Sequence, residues 1–98
     1  MSLRESPAIR TARLPDGREI AVRVVVPDDP YVPQSEIDTV VAELEEGGTV
    51  LAVVTTPLSA TDVERAGALA DSIRVGLESE AFPATAEGIE TVATTVPL

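Results

Sequence analysis

Only two aromatic rings, Tyr31 and Phe82, are available to this 98-residue chain. Aromatic side chains carry a large share of core area wherever they occur. Here the core must be built from small aliphatics instead, and 14 valines and 13 alanines lead the apolar set. The length fits a single domain over residues 1–98. A chain of this size buries only about 60–70% of the surface that its unfolded form exposes. A second copy would add buried area, so a homodimer is expected.

The chain has no histidine, cysteine, tryptophan or lysine. That removes thiolate nucleophiles, zinc-thiolate sites, catalytic triads, Schiff bases and phosphate-loop lysines. What remains for chemistry is carboxylates, hydroxyls and guanidiniums, so no catalytic residue is expected. The first seven residues show no apolar h-region of a signal peptide and are expected to be disordered. The longest aliphatic run, Val50-Leu51-Ala52-Val53-Val54, is far too short to span a membrane. A cytoplasmic protein with no intrinsic membrane segment is the expectation.

The net charge of −10 is unevenly placed. Residues 1–23 hold five arginines against three acids; residues 24–98 hold two arginines against fourteen acids. This reads as a basic strand edge that meets an acidic partner, as an acidic body that mimics nucleic acid, or as a solubility device. Dense acid, arginine in place of lysine and many small residues suit a high-salt cytoplasm, where carboxylates hold hydration. Nucleic-acid binding is not expected, because a phosphate footprint needs clustered Lys/Arg.

Ala8–Leu14 reads as a strand, Pro15-Asp16-Gly17 as a turn, and Arg18–Val26 as a second strand. Ile20, Val22, Val24 and Val26 alternate onto one face of it. Three prolines, at 27, 30 and 33, then hold an extended connection. Ser35 reads as a helix cap, and Ile37, Val40, Val41 and Leu44 as an amphipathic stripe closed by Gly47-Gly48. Thr49–Thr56 is apolar on both faces, the pattern of a central strand covered on both sides. Ser59 or Thr61 is expected to cap a second helix running to about Leu77. Glu80–Ala84 and Ile89–Val96 read as closing strands. The expected fold class is α/β, an α+β two-layer domain of order β-β-α-β-α-β-β. Its sheet would be mixed, with right-handed crossovers and two helices on one face.

Three sets of residues stand out as candidate sites. Asp28 and Asp29 lie past the end of the second strand, the edge where open α/β sheets bind ligands, and could hold Mg²⁺. A solvated turn between prolines explains them equally. Thr55, Thr56, Ser59 and Thr61 surround a helix start and could hold an anion, although capping accounts for Ser59 and Thr61. Ala68, Ser72 and Val75 form a small uncharged strip on the second helix, either stray surface residues or a helix–helix dimer contact. Glu43, Glu45 and Glu46 read as surface charge rather than a metal cluster. No resident cofactor is expected.

Read whole, the segment from Val22 to Pro97 resembles the core of the cell-division protein family SepF. The resemblance lies in Val22-Arg23-Val24-Val25-Val26-Pro27, the amphipathic segment Ser35–Glu46 ending in Gly47-Gly48, and the strand Thr49-Val50-Leu51-Ala52-Val53-Val54. It continues through the helix Asp62 to Leu77, with Glu64-Arg65 and Ala70-Asp71-Ser72, and ends near Thr95-Val96-Pro97. It implies a homodimer, no catalysis, and a groove that binds the tail of the tubulin-like filament protein FtsZ. The family's amphipathic membrane-targeting helix has no counterpart in residues 1–17.

The functional expectation is a non-catalytic, acidic interaction or adaptor protein. The alternative is an acidic inhibitor, immunity protein or antitoxin steered toward a basic partner. A third reading is a small-ligand or Mg²⁺-binding domain using Asp28, Asp29, Thr55, Thr56 and Ser59.

Overall fold

The computed structural model describes Leu3, residues 7–27 and residues 39–94. Four strands and two helices follow in chain order: β1 Ala8–Arg13, β2 Glu19–Val25, β3 Val40–Glu46, β4 Thr49–Thr56, α1 Val63–Glu78 and α2 Ala86–Thr94. The strands lie side by side in that order, and every pairing is antiparallel. The class is α+β. The expected mixed sheet with crossovers is corrected to a meander.

The first hairpin forms where its turn chemistry puts it. Gly17 takes φ +94, the backbone region that favours glycine. The Gly17 N–H reaches the Leu14 carbonyl at 3.0 Å, and the Arg18 N–H donates to Asp16 Oδ1 at 3.0 Å. The register then sets Arg13 opposite Glu19 and Ala8 opposite Val24. Ile20, Val22, Val24 and Val26 are buried, as their alternation requires.

The helix expected over Ser35–Glu46 is a strand over its described part, Val40–Glu46; Ser35 and Ile37 lie outside the described residues. Both periods fit this short stretch. Val40 and Leu44 fall on one helical face, but Val40, Ala42 and Leu44 also alternate, and all three are fully buried on one side of the sheet. Gly47-Gly48 decides between them. Its φ angles are +58 and +87, both positive, as a two-residue type I′ hairpin demands. Glu46 therefore pairs with Thr49 across the turn, and the diglycine joins two strands instead of ending a helix.

The closing strand expected from Ile89 is corrected to α2, and Glu80–Ala84 is irregular. Thr85 starts the helix: its hydroxyl accepts from the Gly88 N–H at 3.0 Å, and its carbonyl from the Ile89 N–H at 3.1 Å. Ile89, Val92 and Ala93 then face inward at i, i+3, i+4, with Ile89 and Ala93 fully buried. At Gly88 a Cβ would collide with the Pro83 carbonyl, so only glycine lets the chain turn this tightly into α2.

Both helices cover the same side of the sheet. α1 lies against β1 and β2, and α2 against β4. The core joins Ile20, Val22, Val24, Val40 and Leu44 to Ile73 and Leu77 of α1 and Ile89 of α2. Leu3, in the stretch expected to be disordered, is 2% exposed, and its N–H donates to the Ala60 carbonyl at 2.8 Å. The opposite side of the sheet carries Ile9, Arg23, Glu43 and Val53 in one cross-strand row, and the neighbouring Val25–Val41 pair on that side is buried. No helix among the described residues is long and apolar enough to cross a membrane.

Candidate functional site

The four hydroxyls singled out from the sequence do not converge. Thr56 is buried, donates to the Val40 carbonyl at 2.8 Å and accepts from the Leu58 N–H at 3.2 Å. Its hydroxyl ties the end of β4 to β3. Thr55 points to the other, exposed side of the sheet. Ser59 and Thr61 share a 3.0 Å hydrogen bond. The N-cap position of α1 belongs to Asp62, not to Ser59 or Thr61. One Asp62 oxygen accepts from the Ser59 N–H at 2.9 Å and the Ser59 hydroxyl at 3.2 Å. These bonds, led by the backbone one, hold Asp62 below its ordinary pKa. A carboxylate thus already stands where an anion would bind, and Coulomb repulsion works against a second.

Asp28 and Asp29 lie outside the described residues. Among the described residues no group of three acids is placed to hold a metal ion. Glu43, Glu45 and Glu46 stand on β3 and are matched by arginines from β2 and the turn before it. Arg23 Nη1 lies 3.2 Å from Glu43 and 3.6 Å from Glu45. Arg18 meets Glu46 through two 2.9 Å bonds, which lower the Glu46 pKa and raise that of Arg18. Ala68, Ser72 and Val75 are all exposed on α1, with Val75 at 53%.

The two edges of the sheet differ in a way that bears on function. Edge strands offer unpaired N–H and C=O groups to any other strand, and proteins blunt them with charge or cover. β1 is blunted both ways. It carries Arg10 and Arg13. Arg10 Nε bonds Asp71 of α1 at 2.9 Å. Arg74 links Asp71 at 3.7 Å to Glu78 at 3.0 Å. Glu78 in turn accepts from the backbone N–H of Arg13 at 3.0 Å. A chain of charged bonds thus straps α1 along that edge.

β4 has none of this. Its sequence, TVLAVVTT, contains no charge and no proline over eight residues. Val50 and Val53 are 51% and 52% exposed. The neighbouring carboxylates on β3, Glu43, Glu45 and Glu46, are bonded by Arg18 and Arg23, so two positive charges offset most of the three negative ones there. A register shift opposite Leu44/Glu45 places a bulge near the diglycine turn and leaves Ala52–Thr56 regular. Among the described residues no strand lies on the outer side of β4.

Sequence reasoning read β4 as a central strand from its two apolar faces. Its place at the edge depends on which strands flank it, and the segment before it also fits a helical period. Comparison with protein-family models, with curated proteins and with solved structures finds no match to this chain.

Proposed function

We propose that this chain is a non-catalytic protein–protein interaction module that works by strand addition at β4. The observation that carries the reading is a strand with a central strand's composition standing at a sheet edge. Main-chain hydrogen bonds supply affinity in such contacts, and alternate side chains supply selectivity. The scarcity of reactive side chains supports the same reading. So does the use of Thr56, Ser59 and Thr61 in local structural hydrogen bonds, with Thr55 on the other side of the sheet from Thr56. The filament-protein partner implied by the SepF resemblance was argued partly from a helix over 35–46. With residues 40–46 extended, the partner class rests on strand chemistry instead.

A photo-crosslinking residue placed at Val53 or at Val75 of the full chain in its native cells checks this. Macromolecular adducts at position 53 and none at position 75 are expected. No adduct at 53, or the same adducts at both positions, would remove the proposal.

A further inference from the structure

We infer that the strand missing from the open edge of the sheet is β4 of a second copy, so that two chains form one continuous eight-stranded antiparallel sheet. This rests on the strand-addition reading above and names its occupant. Thr49–Thr56 is rich in β-branched residues and holds no charge and no proline, so nothing in it blocks pairing with a further strand. Among the described residues it has a neighbour only on its β3 side. Antiparallel pairing about a two-fold axis makes it central in both copies with one surface used twice.

Each chain carries a net charge of −10, so two copies repel wherever acids face acids. β4 is an eight-residue stretch without a carboxylate, and Glu43, Glu45 and Glu46 beside it are held by Arg23 and Arg18. The charge pattern therefore fits a second identical chain at this edge. A basic partner would be drawn to acids, and β4 offers none.

At the opposite edge Arg10, Asp71 and Glu78 occupy β1, so association by edges is closed there, and the assembly stops at two. The contact is small, at the low end of specific interfaces below about 1,200 Å². A reversible, concentration-dependent dimer is expected.

Sedimentation equilibrium of the full chain tests this, from micromolar to millimolar concentration, in low and in molar salt. The mass should rise toward twice the 10.2 kDa of one chain. Salt should tighten the dimer, because screening shortens the reach of the mutual repulsion. Val53→Glu sets like charges together at the seam and should weaken association at least tenfold. Far-UV circular dichroism should stay unchanged, since Val53 is half exposed. Val75→Glu, on the exposed side of α1, should leave the dimer intact. Monomer mass at millimolar chain overturns the inference; adducts with a different protein at position 53 would then still uphold the strand-addition reading. A dimer that survives Val53→Glu and is lost in Val75→Glu also overturns it, and moves the contact to the Ala68/Ser72/Val75 strip.

Discussion

Glu80 sits at φ +59, a conformation that costs a residue with a Cβ roughly 1–2 kcal/mol. It holds that angle because the end of α1 closes there. The Glu80 N–H reaches the Leu77 carbonyl at 3.2 Å, and the Ala81 N–H reaches the Gly76 carbonyl at 2.9 Å. This is a Schellman closure, with glutamate where glycine is usual. Glu80→Gly should therefore stabilise the protein by about 1 kcal/mol, read as a higher urea midpoint at unchanged slope; a lower midpoint would contradict it. Acid should act through Asp62 and Glu46, both held below their ordinary pKa by the Ser59 N–H and by Arg18. Their folded values lie beneath their unfolded ones, so the stability they contribute is complete above the ordinary carboxylate range of about 4. It is lost as pH falls through the folded values. The melting temperature should drop on acidification through that range, and Asp62→Asn should flatten part of the drop. An equal drop in the variant would show that Asp62 plays no part.

The elements divide into those the sequence makes plain and those it leaves double. The β1–β2 hairpin was legible because Pro15-Asp16-Gly17 allows one turn and the valines after it allow one face. α1 was legible because Ala66, Ala70, Ile73 and Leu77 keep a helical period over about three turns, and its Asp62–Arg65 and Asp71–Arg74 pairs form at 3.6 and 3.7 Å. β3 was not legible, since seven residues containing Val40, Val41 and Leu44 satisfy both periods, and a diglycine can end a helix or turn a hairpin. α2 was missed because Thr85 read as part of a turn, although it is the residue that starts the helix. The candidate sites drawn from side chains do not point to the edge, because the feature that matters at β4 is main chain. Packing at the end of α1 makes its own prediction. Replacing a helical glycine by alanine commonly gains about 1 kcal/mol, but a Cβ on Gly76 would enter the Phe82 ring. Gly76→Ala should reverse the usual sign and cost about 1–3 kcal/mol, measured by chemical denaturation. A gain would mean that Phe82 yields freely.

At the scale of the whole molecule, two features of composition act together. Few aromatics leave a core of small aliphatics, and a −10 charge keeps copies apart over most of the surface. Among the described residues the sheet is strapped by α1 on the β1 side, and no further strand lies beyond β4. A neutral strand at that edge is where such a chain can gain buried area without bringing carboxylates together. The central claim is that β4 becomes an interior strand in the working state of the protein. Residue-resolved amide hydrogen exchange, followed as chain concentration is raised, measures that directly. Exchange of the outward amides of Ala52–Thr56 should slow with concentration while β1 and α2 stay constant. Exchange along β4 that is fast and indifferent to concentration would contradict the claim.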